Sequence, residues 1–144
     1  MADILHLVPI QASPQSVYEA ITTEEGLKSW WTDDVSAEPR EGSMAVFRFE
    51  GGQVAFRMNV DKLEPVQAVE WSVEAPAPPE WEETRVTWHL QPDNGGNTHL
   101  LFGHRDWAST ENSFAAINYN WAYYLTSLKE YLEKGQGFPH RNDA

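Results

Sequence analysis

Cysteine is absent from this chain, which removes disulfides, thiolate metal ligands and thiol nucleophiles together. Basic residues are scarce, with ten Lys and Arg against 22 Asp and Glu and a net charge of −12. A surface that acidic repels phosphate backbones and anionic lipid heads, so no nucleic-acid or membrane partner is expected. No apolar run approaches the ~20 residues of a membrane span. Met1-Ala2-Asp3 lacks the basic and then apolar start of a secretory signal, so a cytoplasmic location is the default expectation. His6, His89, His99, His104 and His140 have no ligand spacing, and neither GxSxG, GxGxxG nor GxxxxGK occurs. No metal and no cofactor are therefore expected.

Aromatic side chains, by contrast, are plentiful. Seven tryptophans in 144 residues supply large buried area, and Trp also lines ligand pockets and interface hot spots. Between residues 113 and 134 the apolar side chains fall at Phe114, Ile117, Trp121, Tyr124, Leu125, Leu128, Tyr131 and Leu132. Steps of three and four put them on one face of an α-helix. Ser109 or Thr110 is placed to cap its start, and Lys134-Gly135 with Pro139 beyond fits its end. So aromatic a face needs a broad apolar surface to lie on.

The middle of the chain offers one. A first strand is predicted over residues 4–10, then Ser13-Pro14 opens a short helix and a second runs from Glu24 to Trp31. From Ser43 the period changes to two, with strands over residues 43–49, 53–63, 66–73, 84–91 and 98–106. Gly51-Gly52 and Asn94-Gly95-Gly96 mark turns, and the Pro-rich run 75–79 marks an exposed connection. Val35 allows one more short strand. This order is α+β: one domain over residues 1–144, a curved antiparallel sheet of six or seven strands wrapped around the long helix. At this length folding buries roughly 70% of the chain's surface, enough for a core without covalent staples.

Three stretches carry a resemblance: SPQSVYEAITTEEGLKSWWT (13–32), TRVTWHLQPDNGGNTHLLFGHRDW (84–107) and NWAYYLTSLKEYLEKG (120–135). With the order of elements they resemble the START-like helix-grip superfamily, also called SRPBCC. Within it they are most similar to the heat-shock-protein-90 ATPase-activator-homologue branch, near the polyketide cyclase/dehydrase and lipid-transport relatives. The resemblance implies a cavity between sheet and helix that holds a small hydrophobic or aromatic molecule. It places Trp31, Phe47, Phe49, Trp71, Trp88, Phe102, His104, Asn118, Trp121, Ala122 and Leu125 around that cavity. The full activator carries a further N-terminal domain that makes much of its chaperone contact, for which this chain has no room. Binding of a ligand is thus the first expectation, with a chaperone contact or a homodimer as alternative surface roles.

An enzyme of the cyclase, dehydratase or hydrolase kind is the other alternative. His104 and Asp106, two residues apart on one strand, are expected to share a face, and a histidine beside a carboxylate can act as general base. The plainer reading is that His104 bonds a backbone group while Asp106 ends the strand at the surface. Glu24, Glu25, Asp33, Asp34, Glu38 and Glu41 crowd the expected mouth of the pocket. On loops, such acids are usually solvated charge. The set Trp71, Trp88, Phe102 and Trp121 either fills the space under the helix or leaves part of it open.

Overall fold

The structure is a computed structural model and describes residues 1–142. It begins with β1 (Ala2–Ile10), α1 (Pro14–Thr22) and α2 (Glu24–Trp30), followed by the short β2 (Asp34–Ser36). Next come β3 (Met44–Phe49), β4 (Val54–Glu64), β5 (Ala68–Glu74), β6 (Arg85–Pro92), β7 (Thr98–Trp107) and α3 (Phe114–Lys134). The seven strands form one antiparallel sheet in the order β1-β7-β6-β5-β4-β3-β2. This is the α+β helix-grip architecture expected from the sequence, and β2 is the strand suggested by Val35.

Local chemistry explains the elements. Ser13 accepts the Ser16 N–H and Pro14 fills the first helical position of α1. Thr23 ends α1 and begins α2: its hydroxyl donates to Glu19 C=O and accepts the Gly26 N–H. Gly135, at φ 86°, stops α3 in the left-handed conformation glycine tolerates. The start of α3 differs from expectation. Ser113 is its cap position and makes no side-chain bond, while Ser109 instead accepts the Glu111 N–H in the preceding turn.

On the concave face the alternating residues interlock across strands. Val69 lies opposite Trp88, Trp88 opposite Phe102, and Val86 opposite His104. Phe47, Val69, Val86, Trp88, Leu100 and Phe102 are wholly buried, as are Val17, Ile21 and Trp30 from the short helices. Helix α3 closes this core with Trp121, Leu125 and Leu128. Its backbone runs close to β1, α1 and α2. It does not cover the β3–β4 side of the sheet equally, and that asymmetry leaves a gap.

One strand departs from its pattern. Ala2 pairs with Trp107 and Ile4 with His104, so β7 has one more residue than β1 over this stretch. The extra residue is a bulge at Arg105–Asp106, with Asp106 at φ 71°. Beyond it the faces swap: His104 and Trp107 point inward, whereas Asp106 is turned outward.

The sequence from Gln136 to Ala144 offers few anchoring groups, which predicts that ending the chain after Gly135 is harmless. Instead, residues 135–142 form a strap that folds back along α3. Phe138 N–H donates to Ser127 Oγ, and His140 pairs in parallel with Thr32 through bonds to Trp31 C=O and Asp33 N–H. Asn142 bonds Thr32 and Asp33 and accepts the Gly51 N–H. Gly137 permits the close approach, since a Cβ there would sit 2.7 Å from Ser29 C=O. Among the described residues no helix is long and apolar enough to cross a membrane.

Candidate functional site: an aromatic cleft beside the long helix

Where α3 leaves the sheet uncovered there is a cleft of about 490 Å³. One wall is α3, through Ile117, Asn120, Trp121 and Tyr124. The other comes from the β3–β4 hairpin, through Phe49, Glu50, Val54 and Phe56, with Trp81 from the turn that follows the Pro-rich run. Trp31 forms the floor and His140 of the strap the rim. A larger groove of about 620 Å³ lies between α1 and the end of α3. It is lined by Glu19, Glu25 and mostly small side chains, with Tyr131 its one aromatic, so it lacks the wall that would hold a flat apolar molecule.

The floor is rigid because its rings hold one another. The Trp31 ring centroid lies 4.3 Å from Phe47, 5.0 Å from Trp121 and 5.9 Å from Phe49. Phe56 stacks on Trp81 at 4.1 Å. Such packed aromatic pairs add stability beyond their buried area. Polar groups stand at the rim. His140 Nε2 accepts the Glu50 N–H at 3.3 Å, and the Tyr124 hydroxyl is pushed above its ordinary pKa by burial, then by Tyr123 and Glu50.

His104 lies behind this cleft, not in it. It is fully buried, and both ring nitrogens are engaged. Trp121 Nε1, which can only donate, lies 3.0 Å from Nδ1, so Nδ1 must be the bare acceptor. The proton then sits on Nε2, 2.9 Å from Thr84 Oγ1, which in turn donates to Trp81 C=O at 2.6 Å. Burial holds the imidazole neutral, its pKa pushed down to about 3. This chain of bonds ties α3 to β7 and to the turn bearing Trp81 and Thr84. Asp106, rotated away by the bulge, pairs with Arg85 Nε at 2.8 Å. The two residues therefore form no acid–base pair.

Of the side chains placed around a cavity by resemblance, Trp31, Phe49 and Trp121 meet at the cleft. Phe47, Trp71, Trp88, Phe102 and Leu125 are core behind it. Asn118 is on the other side of the helix, where its Oδ1 bonds His6 Nε2 at 2.8 Å. Ala122 lies one turn further along that same strip, half-buried, and does not reach the cleft. The acids expected at the mouth hold backbone instead: Glu24 accepts the Ala37 N–H and Glu41 the Leu63 N–H, while Asp33 holds Asn142. Val54, Phe56, Ile117 and Tyr124 lay in the sequence pattern but were not singled out. Trp81 and His140 carried no periodic signal at all. The indole N–H groups of Trp88 and Trp107 are buried without a partner among the described residues, each against other rings, which are weak acceptors.

A sequence model described as "Activator of Hsp90 ATPase homolog 1-like protein" matches residues 11–133. The chain belongs to this family. Among solved structures, the Aha1 dimer from Colwellia psychrerythraea is 39% identical, with a TM-score of 0.86 over 95% of this chain and 100% of that one. CalU16 from Micromonospora echinospora is 18% identical, with a TM-score of 0.71 over 91% of this chain and 74% of that one. DynU16, from the dynemicin biosynthetic locus, is 24% identical, with a TM-score of 0.76 over 94% of this chain and 48% of that one. These last two share the fold. No curated protein matches the chain. In this chain the cleft is built from α3, the β3–β4 hairpin, Trp31, Trp81 and the strap. Among the described residues no three His, Asp or Glu side chains converge as metal ligands.

Proposed function

We propose that this member of the Hsp90-activator-like family binds a small apolar or aromatic molecule in the cleft between α3 and the β3–β4 hairpin. The observation that carries the reading is the aromatic lining of Trp31, Trp121, Phe49, Phe56 and Trp81, with polar groups at the rim. Sites of that kind are mostly apolar with a few groups that fix orientation. Binding is favoured over acid–base turnover because His104 is neutral and fully bonded and Asp106 faces away. The test is a titration of tryptophan fluorescence against fatty acids, sterols and flavonoids. A saturable change that disappears in Val54→Trp, which fills the cleft, supports the reading. No response from any of the panel would sink it. If the chain stimulated the Hsp90 ATPase equally with the cleft filled, a surface role would replace it.

A second reading concerns assembly. The relative that is 39% identical is a dimer, and we carry self-association to this chain as a proposal, tested by light scattering across a concentration series.

A further inference from the structure

The sheet has an open edge at β1, and its backbone shows which groups are free. Even-numbered residues of β1 from Ile4 to Ile10 are inward or partly covered, while Leu5 and Leu7 are 52% and 66% exposed on the outer face. Pro9 sits opposite His99 with no N–H to give the ladder, which is tolerated only where that group would point away from the neighbouring strand. Two bonds confirm the parity. Lys129 donates to Pro9 C=O, and Gln11 N–H donates to Glu133 Oε2 at 2.7 Å. Odd-numbered backbone groups of β1 therefore point away from β7. The end of α3 covers them at Pro9 and Gln11. At Leu5 and Leu7 they have no partner among the described residues.

Most of the surface is guarded against such pairing. The net charge of −12 opposes non-specific association. This stretch lacks the usual guards: Leu5 and Leu7 are flanked by Leu101, which lies opposite Leu7, and by Gly103, opposite Leu5. A long edge with exposed leucines and open amides is a template for another strand.

We infer that a second copy of this chain pairs with β1 edge to edge, antiparallel, about a two-fold axis at His6. This rests on the self-association reading above. The register follows from the free groups. With His6 opposite its own counterpart, Leu5 meets the partner's Leu7 and the partner's Leu5 meets Leu7. Those are the residues whose N–H and C=O groups are unpaired, so each such pair exchanges both of its bonds. The same register sets Asp3 opposite Pro9 and so avoids facing like charges. The leucines become cross-strand neighbours on the outer face and the two sheets become one. The ladder is short because Lys129 and Glu133 cap the edge beyond it. An interface limited to the Leu5–Leu7 pairs is small beside the ~800 Å² per partner of a standard stable one, so the dimer should dissociate on dilution.

The experiment combines light scattering with amide hydrogen exchange on the whole chain. Leu5→Lys with Leu7→Lys should weaken association at least tenfold while the far-ultraviolet spectrum and Tm stay near wild type, since both side chains are exposed. In the wild-type dimer the Leu5 and Leu7 amides should be protected, and that protection should vanish on dilution while that of Ile4 and His6 persists. Association undiminished in the double variant, or Leu5 and Leu7 amides that exchange freely in a dimer, would overturn this surface and leave self-association standing. A wild-type chain monomeric at every concentration would overturn both and leave the edge to an extended segment of another protein.

Discussion

At the scale of single residues, His104 shows how one bond decides a role. Trp121 offers a hydrogen and can accept none, so the imidazole must be neutral and bare at Nδ1. A group in that position does not shuttle protons; it resists protonation, and the cost appears as stability. Burial pushes its pKa from 6.5 down to about 3. Between those values the unfolded chain binds a proton that the folded chain refuses, so stability is lost as pH falls through that window. The slope from this residue reaches about 1.4 kcal/mol per pH unit. Glutamine keeps an acceptor for Trp121 and a donor for Thr84 but cannot titrate. His104→Gln should therefore have a flatter stability profile in urea melts between about pH 6.5 and pH 4. Equal slopes in the two proteins would show that the buried histidine does not govern the acid response. The sequence presented His104 and Asp106 as a pair only because strand alternation was assumed to continue. The bulge that separates them arises from pairing with β1, about a hundred residues away, and leaves no mark in β7 itself.

At the scale of elements, α3 was the most legible part of the chain. Its apolar spacing named Trp121, Leu125 and Leu128, all of which are buried. Leu125→Ala should cost roughly 2–5 kcal/mol in denaturant melts, as truncation of a packed leucine does; a loss under about 0.5 kcal/mol would mean the site collapses without strain. The helix pattern did not show which strip faces the sheet's open half. Asn118 and Ala122 fell on the β1 side because α3 is displaced toward β1, α1 and α2. The strap was less legible still. Residues 135–142 have no period and few apolar groups, and their anchors are backbone bonds to Trp31 and Asp33 and a bond from Phe138 N–H to the Ser127 hydroxyl. Bonds of this kind contribute about 0.5–1.5 kcal/mol each. Ending the chain at Gly135 removes these three bonds and should thus lower stability by about 1.5–4.5 kcal/mol, against the expectation of no effect. It would also remove His140 from the rim. Identical melts for the full and shortened chains would mean the strap is held only loosely.

At the scale of the whole molecule, the same displacement of α3 that completes the core over β1, β7 and β6 opens the space over β3 and β4. Core and cleft share residues: Trp121 faces His104 and Phe102 on one side and Trp31 on the other. Nothing in the residue pattern divides seven tryptophans between filling and lining, because both uses demand the same large apolar side chains. The division depends on where the helix sits, which is a property of the assembled molecule. A ligand that occupies the cleft binds only the folded chain, because its walls come from β3–β4, α3, the turn at Trp81 and the strap. It should therefore stabilise by mass action, by ~2.7 kcal/mol at a concentration 100-fold above its Kd. Two variants separate the cleft from the core. Val54→Trp fills the space from a half-buried position, so it should abolish the ligand's thermal shift while leaving the free protein's Tm nearly unchanged. Phe56→Ala removes the ring stacked on Trp81, so it should lower the free protein's Tm and weaken binding together. A ligand shift that survives both substitutions would place binding elsewhere, and the groove between α1 and the end of α3 would be the surface to test next.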